Sequence, residues 1–138
     1  MRKITSFVLA FVLILPLVFV VSCGNNYDFA PSEGVWESAT FGKGEKTFTF
    51  EIVTEDKSVT HTIKTDKKTV GEALSEVGLI EGEEGAFGIY IKVVNGVVAD
   101  YDVDKTYWAF YINGEKANTG ADMTDIEDNA TYKLSKEK

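Results

Sequence analysis

The side chains that could do chemistry in this 138-residue chain are mainly aromatic. The run Tyr107–Ile112, YWAFYI, holds two tyrosines, a tryptophan and a phenylalanine and has no charged residue. Because alternate side chains of a strand leave opposite faces, both faces of such a strand would be apolar or aromatic. A half-buried strand usually alternates with polar residues. The second face must therefore be covered by another part of the chain, by a partner protein or by a ligand.

Few residues of the kinds used in catalysis are present. His61 is the only histidine, and it lies between Val59 and Ile63 in an alternating strand pattern, where a partly buried structural role is expected. Cys23 is the only cysteine, so the chain has no internal disulfide. One histidine and one cysteine do not make a zinc or haem site. We therefore predict that the protein is not an enzyme, has no catalytic residue and requires no cofactor.

The acidic stretches do not predict a metal site. In DYDVD, residues 100–104, three aspartates have the spacing that begins an EF-hand loop. The pattern then fails, because Lys105 stands where the loop requires glycine and Tyr111 stands where it requires a bidentate glutamate. We predict a solvated connection there, and acidic loops at EGEEG, residues 81–85, and at DIED, residues 125–128.

The N-terminus has the pattern of an export signal. Arg2 and Lys3 precede an uncharged, apolar-rich stretch from Ile4 to Val21, and small residues follow. This order predicts a signal peptide over residues 1–22. The sequence VVSC at 20–23 resembles the lipobox of bacterial lipoproteins, in which cleavage precedes a cysteine that is then lipidated. The resemblance implies an extracytoplasmic protein anchored in the membrane through Cys23; an uncleaved N-terminal anchor is the alternative.

Charge and composition describe the rest of the chain. The net charge of −8 becomes −10 if residues 1–22 leave with Arg2 and Lys3, and such a charge repels nucleic acids and anionic lipids, so neither is expected as a partner. Residues 23–44 are polar and rich in Gly, Asn and Ser, which predicts a flexible tether. Trp36 and Phe41 are apolar enough to dock as an extra edge strand. Residues 45–138 would form one domain.

Periodicity predicts an α+β domain in which a β-grasp-like mixed sheet packs on one helix, in the order ββαβββ. KTFTFEIVT (46–54) and VTHTIKT (59–65) alternate and form a hairpin, in which Phe48, Phe50 and Ile52 face the core. Val70 to Val77 carries one helical apolar stripe, between a capping box at Thr69 and a glycine suited to a helix end, Gly78. A hairpin around Asn95-Gly96, the run YWAFYI and a last strand ATYKLS (130–135) follow, and in the last strand Tyr132 and Leu134 point inward.

Three separated motifs resemble the transcobalamin-like C-terminal domain, the β-domain of the cobalamin carriers transcobalamin and intrinsic factor. They are Tyr90 to Gly96, Tyr107-Trp108 and Gly120-Ala121-Asp122, within a match that runs from about Phe48 to Leu134. The resemblance implies a β-grasp-related fold whose ligand in the animal carriers is the corrin ring. Those carriers hold the ring against a larger helical domain, and the present sequence lacks that domain.

The resemblance implies a ligand-binding face on this chain. Its predicted members are the aromatic residues of two strands and the loop after them: Tyr90, Tyr107, Trp108, Phe110, Asn118, Gly120, Ala121 and Asp122. A flat macrocycle favours a flat aromatic surface, and Gly120 would allow close backbone approach. Trp108 could equally belong to the core, since a one-residue register shift exchanges the two faces of a strand.

The predicted function is that of a cell-surface lipoprotein that binds a small molecule, cobalamin or another corrinoid, as an accessory in capture or uptake. The alternative is a protein-interaction module of the cell envelope without a small-molecule ligand, in which the aromatic residues anchor a transporter component or another surface protein. We expect Trp108→Ala to weaken ligand binding without unfolding the domain if the first prediction is right.

Overall fold

The computed structural model describes residues 25–86 and 88–138. The predicted signal peptide and the predicted lipidation site, Cys23, lie outside the described residues. The fold is a mixed α+β structure made mostly of strands, as the sequence predicts. The described residues form two short helices and two sheets where the sequence predicts one of each. No helix among the described residues has the length and apolar character needed to cross a membrane.

Seven strands form one large sheet and three form a small one. The large sheet has the order β1-β2-β4-β3-β10-β8-β9, and the small sheet has the order β5-β6-β7. The bounds of the strands are β1 Asn25–Tyr27, β2 Ala39–Gly42, β3 Lys46–Val53, β4 Ser58–Thr65, β5 Ile80–Gly85, β6 Gly88–Val94, β7 Val97–Val98, β8 Tyr107–Ile112, β9 Glu115–Lys116 and β10 Thr131–Glu137. The other elements are the helices α1 Val70–Glu76 and α2 Tyr101–Asp104 and a 3₁₀ turn, Ala121–Met123.

The centre of the large sheet is mixed because β10 lies parallel to β3 and antiparallel to β8. In each of these strands every second side chain points to the core. Phe50 of β3 pairs with Tyr132 of β10, and Leu134 of β10 pairs with Phe110 of β8. Phe50 and Leu134 are fully buried. The inward residues predicted for β3 and β10 are therefore confirmed.

Helix α1 begins and ends where the sequence predicts. The Thr69 hydroxyl accepts a hydrogen bond from the amide of Glu72, at 3.3 Å, and so satisfies one of the unpaired amides of the first turn. At the other end Gly78 has φ +73°, a conformation that favours glycine. The amide of Leu79 then donates to the carbonyl of Leu74 at 3.0 Å, which is the Schellman closure.

The prediction of a loop at residues 81–85 is wrong, because these residues lie in β5. Their glycines and glutamates have no strand pattern of their own, and all of them are exposed. They are held by backbone pairing with β6, with a register shift between Glu81 and Gly82. The turn that follows β6 is as predicted, since Asn95 and Gly96 both have positive φ, +49° and +79°.

The connection at residues 100–104 contains a single helical turn, α2, and none of the residues in this turn is buried. Asp100 accepts a hydrogen bond from the amide of Asp102 at 3.1 Å and so caps the turn. Asp104 accepts from both the amide and the hydroxyl of Thr106, and these hydrogen bonds lower the pKa of the Asp104 carboxyl. Two of the three aspartates are thus used as local caps. Residues 125–128 lie in a loop, as predicted.

The segment predicted as a flexible tether is folded from residue 25 onward. Strand β1 pairs in parallel with β2, and β2 pairs in parallel with β4, so both extend the large sheet. Phe41 is fully buried and lies 4.8 Å, ring centre to ring centre, from His61. Burial of one aromatic side chain contributes about 1.5–3 kcal/mol of stability. Burial of Phe41 therefore helps to hold this segment on the sheet although the residues around it are mostly polar.

A clamp on Val35 fixes this segment to the rest of the fold. The side chain of Asn95 accepts from the Val35 amide at 2.7 Å and donates to the Val35 carbonyl at 2.8 Å. His61 contacts the same carbonyl through Nε2 at 3.0 Å and accepts from the Ala39 amide through Nδ1 at 3.2 Å. Because Nδ1 accepts, the neutral ring carries its proton on Nε2 and donates to Val35. His61 and Asn95 are both buried, which explains why this pairing is needed.

The burial of His61 makes the stability of the fold sensitive to acid. Burial lowers the pKa of His61 below its ordinary value of 6.5, so the unfolded chain takes up a proton at a higher pH than the folded chain does. The stabilisation is therefore complete above pH 6.5 and is lost as the pH falls below it, by at most about 1.4 kcal/mol per pH unit. We expect urea unfolding between pH 7.5 and pH 5 to show this slope, and His61→Gln to reduce it. An identical pH dependence in both proteins would contradict this role of His61.

Candidate functional site

The outward face of β8 is covered by charged side chains of the neighbouring strands. The ammonium of Lys133 lies 4.3 Å from the ring centre of Tyr111, and that of Lys116 lies 5.6 Å from the ring centre of Tyr107. The Tyr111 hydroxyl donates to Glu137 at 2.7 Å, and this hydrogen bond raises the pKa of Tyr111. Half-buried tyrosines under lysines make cation–π contacts and keep their hydroxyls near water. This face needs no further partner to be covered.

The inward face of β8 carries the tryptophan. Trp108 is only 8% exposed and belongs to the hydrophobic core. Its indole Nε1 donates to the carbonyl of Lys92 at 3.2 Å, which joins the large sheet to the small one. Trp108 is therefore a core residue. Whether it can also contact a ligand depends on whether a hollow lies beside its ring.

A hollow of about 150 Å³ lies beside Trp108, between β6, β8 and the 3₁₀ turn. Six of the eight predicted binding residues line it. The lining residues are Ile89, Tyr90, Ile91, Tyr107, Trp108, Phe110, Gly120, Ala121 and Leu134. Tyr90 is 46% exposed and marks the open rim, whereas Ala121 and Leu134 are buried. The structure thus brings two sequence-distant strands and a loop around one apolar hollow.

Two predicted binding residues are not part of this lining. Asn118 is exposed and lies in a separate shallow depression with Lys116 and Glu127. Asp122 lies behind the hollow and accepts a hydrogen bond from the amide of Ile89 at 2.9 Å. Among the lining residues, Gly120 has φ −72°, which any residue adopts, so the backbone there does not require glycine.

Asp122 positions the strand that forms one wall. Besides its bond to Ile89, its carboxylate lies against Gly71 in the first turn of α1, where a Cβ would collide with it. The carbonyl of Thr124, just past the 3₁₀ turn, accepts from the amide of Val70 at 3.0 Å. The turn is therefore joined to α1 on one side and to β6 on the other, and this fixes the width of the hollow.

The hollow has little charge near it. The lining contains no carboxylate, ammonium or imidazole. The Tyr90 phenol lies at its rim, whereas the Tyr107 phenol lies on the other face of β8, beside Lys116. Lys92, whose carbonyl accepts from Trp108, pairs through its ammonium with Glu83 at 3.3 Å, and this hydrogen bond raises the pKa of Lys92. Such a site favours neutral, apolar or aromatic groups, because a charged group would lose its hydration without gaining a partner.

Metal ligands do not cluster in the described part of the chain. Within residues 25–86 and 88–138 no group of three or more His, Cys, Asp or Glu side chains comes together. Both ring nitrogens of His61 are used by the clamp on Val35 and Ala39.

Sequence reasoning missed the aliphatic part of the lining, Ile89, Ile91 and Leu134. Leu134 was expected in the core, which is correct, and it forms the floor of the hollow as well. Ile89 and Ile91 alternate with Tyr90 and Lys92 in β6, and this alternation was a usable signal that one face of β6 packs toward another element. What the sequence could not supply was the distance left between β6 and β8.

The structure is similar to solved structures whose sequences are related to it to different degrees. The structure is similar to that of a protein from Ruminococcus gnavus ATCC 29149 described as a candidate metal-binding protein, with a TM-score of 0.64 and 32% identity. The match covers 68% of the present chain and 98% of that protein. The chain belongs to the same family. Residues 67–132 of this family member match the model of a domain of unknown function, DUF4430.

A second similar structure is that of haptocorrin in complex with Cbi. The TM-score is 0.54 with 16% identity, so this likeness concerns the fold alone. The match covers 71% of the present chain and only 27% of haptocorrin. A comparison with curated proteins found no match.

Proposed function

We propose that the protein binds a small molecule at the hollow beside Trp108, and that this ligand is cobalamin or another corrinoid. The observation that carries the proposal is the convergence of Tyr90, Trp108 and Ala121, from three separate motifs, on one apolar hollow with an open rim. Apolar hollows with a few polar groups at the rim are the usual form of small-molecule sites. The shared fold with haptocorrin, which was crystallised with Cbi, supports the choice of ligand class.

The size of the hollow limits how such a ligand could bind. Pockets that enclose drug-sized ligands measure roughly 300–1,000 Å³, and the hollow measures about 150 Å³. A macrocycle would therefore lie across the rim, on Tyr90 and the edge of β8, and only a projecting group would enter. With one face left in water, the affinity of this chain alone would be modest, and a second protein that covers the ligand would raise it.

The binding test uses two tyrosines of similar exposure. Tyr90 at the rim is 46% exposed, and Tyr101 in α2, which is not part of the lining, is 51% exposed. We expect cobalamin or cobinamide to change the tryptophan fluorescence of the full chain in lipid nanodiscs. Tyr90→Ala should weaken binding by about tenfold, since it removes an aromatic contact worth roughly 1–1.5 kcal/mol. Tyr101→Ala should leave the affinity unchanged.

The corrinoid part of the proposal fails if micromolar protein changes neither the fluorescence nor the absorbance spectrum of either ligand. It also fails if Tyr101→Ala and Tyr90→Ala weaken binding equally, because the loss would then not be local to the hollow.

A protein partner is a second candidate, favoured by a different observation. Three apolar or aromatic side chains near α2 are exposed: Val98 by 55%, Tyr101 by 51% and Val103 by 80%. Neighbouring exposed apolar side chains are common where proteins dock. A stoichiometric envelope protein captured by the full chain, and lost on Val103→Asp, would support this function over ligand binding.

We also propose that the protein is a lipoprotein held outside the cytoplasm through Cys23, and that it is a binding protein rather than an enzyme. The signal-like residues 1–22 and VVSC at 20–23 support the first part. The second part is supported by His61, whose two ring nitrogens are occupied by the Val35 carbonyl and the Ala39 amide, so that neither is free to act as a base.

A further inference from the structure

The hollow beside Trp108 has the dimensions of one six-membered ring. Its volume is about 150 Å³, and an engineered cavity of 150 Å³ lined by Leu, Ile and Phe binds benzene. The lining here has the same character, with Ile89, Ile91, Leu134 and Phe110 among its members. Size and lining therefore agree on the same class of occupant.

We propose that the hollow is a socket for a single aromatic ring, carried either by a free one-ring compound or by a group that projects from a larger ligand. This inference rests on the proposed function, because it names the part of the ligand that enters the site. It does not depend on that ligand being a corrinoid.

The walls favour an aromatic ring over an aliphatic one. Trp108 and Phe110 both line the hollow, so an occupant would meet aromatic side chains on the β8 side. Aromatic pairs gain about 0.5–1.5 kcal/mol beyond the burial of their area when they meet edge to face or offset. An aliphatic ring of equal size would gain the burial alone.

The fixed frame of the socket limits the size of its occupant. Trp108 is held by its hydrogen bond to the Lys92 carbonyl, and the β6 wall is held by the bond from the Ile89 amide to Asp122. A fused two-ring system is larger than this hollow of about 150 Å³, so full entry would require Trp108 or the β6 wall to move against these bonds. The polar side of an occupant would face the rim, where Tyr90 is exposed.

The test uses three alcohols that share a hydroxymethyl group: benzyl alcohol, cyclohexylmethanol and 2-naphthalenemethanol. Each is titrated into the full chain in lipid nanodiscs, and the methyl NMR signals of Ile89, Ile91 and Leu134 are followed. We expect benzyl alcohol to shift these signals with an affinity about tenfold higher than that of either other alcohol. Equal affinities for the three, or shifts confined to methyl groups elsewhere, would overturn the proposal.

Two variants locate the binding. Ile89 is half-buried in the wall, and Ile89→Phe places a ring in the hollow. Val98 is exposed and is not part of the lining, so Val98→Phe adds the same ring elsewhere. Ile89→Phe should abolish the effect of benzyl alcohol and Val98→Phe should not; equal effects of both variants would count against the socket.

The outcomes separate the socket from the corrinoid ligand. If benzyl alcohol binds at the hollow and neither cobalamin nor cobinamide binds, the aromatic-ring socket is supported and the proposal of a corrinoid ligand is excluded. If a corrinoid binds, but benzyl alcohol does not compete with it and Ile89→Phe does not change its affinity, the aromatic-ring socket is overturned. The proposed function of small-molecule binding then remains in place.

Discussion

A chain that begins at Glu45 is expected to lose its cooperative fold. The truncation removes Ala30, Val35, Ala39 and Phe41, all of which are buried. It also leaves the buried side chains of His61 and Asn95 without their partners on Val35 and Ala39. Loss of a buried phenylalanine and a buried valine, together with these hydrogen bonds, should cost about 5–8 kcal/mol. That equals the whole stability of many domains.

Thermal unfolding followed by circular dichroism would measure this effect, with a chain that begins at Asn25 as the control. We expect the chain from Asn25 to melt cooperatively and the chain from Glu45 to show no transition and poor dispersion of its amide NMR signals. Equal melting temperatures would mean that residues 25–44 are the tether that their composition predicts.

Replacement of Trp108 by alanine is expected to destabilise the fold by about 3–5 kcal/mol, the usual cost of removing a large buried aromatic side chain. Trp108 is 8% exposed, and its indole also satisfies the Lys92 carbonyl. The sequence led us to expect that Trp108→Ala would weaken binding without unfolding. The burial of the ring makes a large loss of stability the expected result, so the exposed Tyr90 is the better residue for binding tests.

Urea unfolding of Trp108→Ala measures the loss, and Trp36→Ala is the matched control. Trp36 is half-buried, and the Lys57 ammonium lies 5.1 Å from its ring centre. We expect Trp36→Ala to cost about 1 kcal/mol. If Trp108→Ala cost no more than Trp36→Ala, the indole would not be part of the core.

Local signals predicted the elements that depend on local chemistry. The Thr69 cap, the glycine at 78 and the Asn95-Gly96 turn each act within a few residues, so they can be read from the sequence alone. Strand β3 alternates so regularly that Phe48, Phe50 and Ile52 were assigned to the core, where all three are buried. These elements account for the centre of the fold.

The elements that were missed depend on distant partners. Strand β5 has no apolar alternation, and it exists because β6 pairs with it. The N-terminal segment is packed because a side chain in the 95–96 turn reaches Val35, 60 residues earlier in the chain. In the candidate site, aromatic character identified Tyr90 and Trp108, but Asn118 has no such signal and lies apart. The spacing between β6 and β8 cannot be read from either strand.

The position of β1 has a consequence for how the molecule would stand on a bilayer. Strand β1 starts at Asn25, so if Cys23 carries lipid, only about 7 Å of chain separates the acyl chains from the first strand of the sheet. Strand β8 lies five places along the sheet from β1, which at about 4.8 Å per strand is up to about 24 Å away. Because this connection is so short, the β1 edge of the sheet would lie near the lipid headgroups. The Trp108 side would then face the surrounding medium, from which solutes arrive.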